Sequence, residues 1–252
     1  MKQRFGTMFE YPPGATPIDA DEADGLIPGH ITTQAGLNEW EQANIAAAVA
    51  WVRTARLDPF DLLAVKSLHK RMFDRTWTWA GQLRRTEKTI GVAPEEVAVR
   101  ARDLLDDGRY WFRHGTFAPR ACALRLHHRL VWVHLFSNGN GRHARLWANW
   151  VLVRAGEPPI DWGGDLDDAG AHRSAYIASL RAADGGSGRP DPFEQNLRVM
   201  LGYLQEPARR AVGLPLGYVP QWRVNGGRGR RVAGLGPRRS RELSRQARPE
   251  LL

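Results

Sequence analysis

Four prolines, Pro59, Pro94, Pro119 and Pro192, each stand at the head of a run with apolar residues every third or fourth place. Proline has no N–H and a fixed φ, so it suits the first turn of a helix and breaks one anywhere deeper. These four positions therefore read as helix starts. After Pro59, Leu62, Val65, Leu68 and Met72 recur at helical spacing, with Asp58 as N-cap and Asp61 in the first turn. Pro94 is followed by Glu95 and Glu96, and that run closes at Gly115. Pro119 opens "PRACALRLHHRLVWVHLF", and Pro192 opens "PFEQNLRVMLGYL". "NEWEQANIAAAVAWVRTAR" and "DDAGAHRSAYIASLRAAD" are helical by pattern, and Gly185 follows the second. One segment reads as β: "GQLRRTEKTIGV", residues 81–92, is too polar for a core strand and predicts a surface hairpin turning near Arg85 to Glu87. The fold class expected is mainly α, with a small β-hairpin flap.

Charge separates the chain into two parts. Residues 206–252 hold eleven arginines, no lysine and three glutamates, so most of the net +9 lies there. The same stretch holds seven glycines and five prolines, too little apolar surface to order itself. This predicts a helical domain over 1–204 and a disordered basic tail over 205–252. A single cysteine, Cys122, excludes an internal disulfide and a cysteine-rich metal site. The longest apolar run, Ile45 to Val52, is far too short to span a bilayer, and the N-terminus lacks the apolar core of a secretory signal. A cytoplasmic protein without membrane contact is expected.

The chemistry concentrates in "HLFSNGNGRHAR", residues 134–145, between two amphipathic runs. Successive amides of Gly139, Asn140 and Gly141 can form an anion nest at the start of the following helix, whose dipole favours negative charge. Arg142 and Arg145 lie one turn apart, placed to face the same anion. His134 ends the preceding helix beside that cradle, and Phe136 is expected to turn inward as an anchor. Taken singly, each part is more often a turn, a structural histidine or a solvated face; the conjunction reads as a polyphosphate site. His127, seven residues before His134, reads as a core or supporting residue. Trp147 and Trp150 read as core by spacing; Tyr176 reads as core packing, with stacking on a base as the alternative.

These residues resemble the signature of Fic-domain proteins: His, any residue, Phe, any residue, Asp or Glu, then Gly-Asn-Gly-Arg, two residues and Arg. "WAGQLRRTEKTIGV" resembles the Trp-Ala-Gly segment and flap hairpin of that family. "GATPIDADEADGLIPGHITTQAGLNEWEQANI" resembles a bacterial subfamily called mobile mystery protein B. The resemblance implies a Fic-type helical domain that transfers AMP from ATP to a protein hydroxyl. It implies His134 as general base; Gly139, Asn140, Gly141, Arg142 and Arg145 as nucleotide-binding residues; and the hairpin as a clamp on the target by strand addition. It also implies Mg²⁺, with position 138 as ligand. Here the sequence departs, because Asn138 stands where a carboxylate is usual, and a neutral amide is the weaker ligand. Asn138 also suits a helix N-cap. Leu135 replaces the usual Pro after the His.

Many Fic proteins carry an inhibitory helix whose Glu occupies the second arginine of the loop. No strict match occurs; the nearest is "LNEWEQAN", with Glu41 expected to pair with Arg145 and Glu39 as the runner-up. The implied partners are an unknown target protein and an antitoxin-like or regulatory protein. Nucleic acid is a partner only through the basic tail. Two rival readings stay open: a Fic-type phosphotransferase moving another group, against which the intact "GNGR" argues, and a non-catalytic nucleotide-binding regulator.

Overall fold

The computed structural model describes residues 18–162 and 171–183; the tail, the Pro192 run and the 204/205 boundary lie outside them. The described elements are helices α1 (Ala20–Ala23), α2 (Gln34–Val52), α3 (Leu62–Phe73), α4 (Val97–His114), α5 (Pro119–Val133), α6 (Asn140–Arg154) and α7 (Ala171–Ala183). A 3₁₀ turn, Pro94–Glu96, leads into α4. Helix α5 packs against α6 on one side and α4 on the other, α2 packs on α3, and α3 reaches α6. The main core lies between them, with Leu68, Met72, Phe73, Trp77, Phe136 and Trp147 among its buried residues. A smaller cluster joins Leu124, Ala148, Leu152, Ile160, Tyr176 and Leu180. Trp147 and Trp150 are core, as their spacing predicts. Among the described residues no helix is long and apolar enough to cross a membrane.

The local rules mostly hold. Pro119 opens α5, and Gly115 closes α4 in the left-handed conformation. Thr33 caps α2 by accepting from the Gly36 N–H at 3.2 Å. One helix start moves: α3 begins at Leu62 with Asp61 as N-cap, because the Asp58 carboxylate accepts from the Phe60 N–H at 2.9 Å and holds residues 58–60 in a turn.

The expected hairpin is absent. Residues 81–92 contain no strand, and the one β-bridge among the described residues pairs Leu26 with Trp77. The reason is Arg84. Its guanidinium is buried, and it donates to the carbonyls of Thr86 (2.8 Å), Val92 and His134 (2.6 Å). Turned onto one cation, the Thr86 and Val92 carbonyls draw the two arms of the segment inward. Lys88, its side chain only 2% exposed, ties the loop to Asp19 (2.7 Å), just before α1, and to Glu22 (2.5 Å) within it.

Candidate active site

The site is built on the break between α5 and α6. Helix α5 ends at His134, whose backbone takes φ 57° and ψ 66°, the one positive φ at a non-glycine residue among those described. A side-chain-bearing residue holds that conformation only when its surroundings over-determine it. Here Arg84 supplies the restraint: its Nε–H holds the His134 carbonyl, and its backbone N–H donates to Leu135 O at 2.9 Å. Gly91 closes over the top. A Cβ there would come within 2.7 Å of both His134 Cβ and the Arg84 guanidinium, at a φ of 124°.

His134 is buried, and its Nδ1 lies 3.3 Å from Val131 O. A carbonyl only accepts, so Nδ1 carries the proton and the Nε2 lone pair is the basic one. Burial lowers the imidazole pKa to about 4; the Val131 bond opposes this, while the charges of Arg84 and Lys88 add to it. The ring is therefore neutral at pH 7, with its Nε2 unprotonated.

After His134 the loop is anchored from beneath. Phe136 is buried, as expected, and stacks on His69 at 3.7 Å between ring centroids. Asn140 accepts from Phe136 N (2.9 Å) and donates to Phe136 O (2.7 Å), closing the loop on itself. Its side chain is thus a structural clamp, and only its backbone remains for the nucleotide role expected of it. Gly139 is the N-cap of α6 at φ 75°, with no side-chain cap bond. A Cβ at Gly139 would stand 2.5 Å from the Phe73 ring, so glycine is required for the loop to rest on α3. Asn138 is not the N-cap that its residue type suggested. Its Oδ1 accepts from the next amide, Gly139 N, at 2.5 Å.

The two arginines do not face one point, as the spacing predicted. Arg142 turns toward α2 and α3: its guanidinium lies 2.7 Å from Glu41 Oε2 and 5.0 Å from the centre of the Phe73 ring. Arg145 lies over the Tyr176 ring of α7 at 5.3 Å. Gly141 lies on the Arg145 side, where a Cβ would lie 3.6 Å from the Arg145 guanidinium and 3.9 Å from the Tyr176 hydroxyl. Tyr176 is buried, as expected, and bonds His127, itself buried and supporting, at 2.9 Å.

Glu41 also meets a different partner from the one expected. It pairs with Arg142 rather than Arg145, and its other oxygen accepts from Trp77 Nε1 at 2.7 Å. The indole fixes the carboxylate on α2 where only the first arginine of the loop is in reach. Glu39, the runner-up, is exposed. The sequence reading missed Arg84 and His69. Arg84 lies in a stretch whose polarity suggested surface, and His69 differs from an ordinary core position only in sitting between Leu68 and Met72.

Residues 59–152 match the model of the Fic/DOC family. This part of the chain is a Fic domain. The chain is 36% identical over 118 residues to protein adenylyltransferase fic-1 of Caenorhabditis elegans, a match covering 44% of this chain and 21% of the relative. It is 27% identical over 213 residues to protein adenylyltransferase Fic of Culex quinquefasciatus, covering 78% and 40%. The fold matches the solved structure of C. elegans Fic-1 with a TM-score of 0.54 at 27% identity, covering 75% of this chain and 54% of that one. The chain thus spans between about a fifth and two fifths of these curated relatives.

A Fic domain raises the question of Mg²⁺. The residues present do not fit a metal held by the protein. The loop offers no carboxylate at position 138, the Asn138 oxygen is turned onto Gly139 N, and no group of three or more His, Cys, Asp or Glu gathers among the described residues.

Proposed function

We propose that the chain is a protein adenylyltransferase that moves AMP from ATP to a hydroxyl side chain of another protein. The observation that carries this reading is His134. Its neutral ring, protonated on Nδ1 and basic on Nε2, is locked at the mouth of the glycine loop opening α6. The similarity to proteins named adenylyltransferases supports the same choice. The target hydroxyl oxygen attacks the α-phosphorus, and its proton passes to His134 Nε2. The bond from the α-phosphorus to the bridging oxygen breaks, and pyrophosphate leaves. A pKa near 4 makes His134 a weak base when the site is empty of nucleotide. A triphosphate beside it offsets the charges of Arg84 and Lys88 and moves the pKa upward, toward the range a general base needs. The amides of Asn140 and Gly141 at the α6 terminus and the Arg142 and Arg145 guanidiniums bind the phosphates and stabilise the departing charge. Mg²⁺ belongs to the substrate in this reading, carried by the ATP phosphates.

Glu41 is the restraint. While it holds Arg142, the cation needed by the inner phosphates is occupied. The N-terminal likeness to mobile mystery protein B favours a bacterial protein of that subfamily, with the target and any antitoxin-like partner supplied by its host. Incubation with ATP labelled at the α- or γ-phosphate tests the function: adenylylation leaves the α label on protein, phosphorylation leaves the γ label, and a regulator that only binds leaves neither.

A further inference from the structure

Helix α3 carries His69 and Phe73 one turn apart, and both lie under the glycine loop. Phe73 fills the space that a Cβ at Gly139 would take. His69 is buried, stacked on Phe136 and 4.8 Å from the Phe73 ring. Its two nitrogens meet two different segments. Nδ1 lies 2.9 Å from Gly81 N and Nε2 lies 3.1 Å from Asn138 O. A backbone N–H only donates and a carbonyl only accepts, so both protons are assigned: Nδ1 is bare and Nε2 carries the hydrogen.

We propose that His69 is a positioning residue of the phosphate loop, one neutral ring that joins the Gly81 amide to the Asn138 carbonyl and thereby sets the orientation of the 138–139 peptide. That role in catalysis rests on reading the loop as the nucleotide site. A trans peptide is planar, with its C=O and N–H pointing in opposite directions. Holding the Asn138 carbonyl down onto α3 therefore directs the Gly139 N–H up, away from the aromatic floor. The next residues open α6, so an error in this plane passes into the amides that would meet phosphate. The bridge also ties the Trp-Ala-Gly segment to a loop more than fifty residues further on: Gly81 and Asn138 share one ring.

Protonation would break the bridge, since a second ring N–H would point at the Gly81 N–H. Burial holds the His69 pKa well below 6.5, and the neighbouring His143 and Arg142 of α6 act in the same direction. His143 is itself fixed, with Nε2 3.0 Å from Val65 O.

Two substitutions separate the halves of the bridge. Asn places its carbonyl oxygen near the Nδ1 position and Gln places its amide nitrogen near the Nε2 position. His69→Asn keeps the acceptor for Gly81 and loses the donor to Asn138; His69→Gln does the reverse. Both lose the stacked ring. Amide hydrogen exchange and ATP affinity are measured on the full chain. His69→Gln should speed exchange at Gly81, leave Gly139 to Arg142 protected and hold ATP affinity within about twofold. His69→Asn should keep Gly81 protected, loosen Gly139 to Arg142 and weaken ATP binding by about fivefold or more, the value of one lost hydrogen bond. Equal losses in both variants, with the same exchange pattern, would reduce His69 to packing and overturn the proposal. The parent protein gives a reading that needs no variant: ¹⁵N shifts of His69 should show protonated Nε2 and bare Nδ1, and the opposite tautomer would also overturn it. A parent that binds no ATP defeats the proposed function, while the exchange patterns still decide whether His69 sets the loop.

Discussion

The Glu41–Arg142 pair makes a demanding prediction, because removing it should weaken the protein and speed the enzyme. The two side chains are 4% and 17% exposed and their charged atoms are 2.7 Å apart. At an effective dielectric near 20, that separation corresponds to roughly 6 kcal/mol of attraction before desolvation. Deleting one partner of a buried pair typically costs about 3–5 kcal/mol, since the other charge is stranded. Arg142 keeps an outlet to solvent, so the lower end applies. In a domain of this size about 3 kcal/mol lowers the unfolding midpoint by about 6–12 °C. Glu41→Gln is the sharper probe, because a Gln oxygen can still accept from Trp77 Nε1 while the charge is gone. Auto-adenylylation followed by mass spectrometry, with unfolding monitored in parallel, should show a lower midpoint and a rate at least about tenfold higher, which requires about 1.4 kcal/mol of the pair's energy. Adding Arg142→Ala should cancel the gain. A Glu41→Gln protein that is less stable but no faster would show that the pair only supports the fold, and any restraint would then come from another protein.

Three further outcomes follow from the same site. His134→Ala should abolish AMP transfer while ATP binding, read by calorimetry, stays within a few fold; near-normal auto-modification would remove the base. Asn138→Asp should lower the Mg²⁺ concentration giving half-maximal activity, since it adds a full charge beside the phosphates; an unchanged titration would place position 138 outside the metal's reach. Stability should fall with acid: His134 and His143 are held at about 4, and His69 and His127 well below 6.5, in each case chiefly by burial. Such groups take up protons on unfolding, so their contribution is whole above pH 6.5 and is lost as pH falls toward 4, up to about 3 kcal/mol each for His134 and His143. An unfolding midpoint unchanged between pH 7 and pH 4.5 would contradict this burial.

By itself the sequence determined the parts that depend on near neighbours. Pro119 and Gly115 sit where a missing N–H and a left-handed residue are tolerated, and they mark the ends of α5 and α4. The glycine loop between two amphipathic runs and the inward Phe136 follow from the same local chemistry. Tertiary structure decided whatever depends on a distant partner. Residues 81–92 read as a polar surface hairpin, yet Arg84 gathers the Thr86 and Val92 carbonyls around a buried cation. Glu41 has two arginines of equal charge to choose from, and a hydrogen bond from Trp77, thirty-six residues away, settles it on Arg142. A spacing of i, i+3 puts Arg142 and Arg145 on one helix face, but Glu41 and Phe73 on one side and Tyr176 on the other direct them apart. Side-chain direction depends on contacts from other helices, here Glu41 on α2, Phe73 on α3 and Tyr176 on α7.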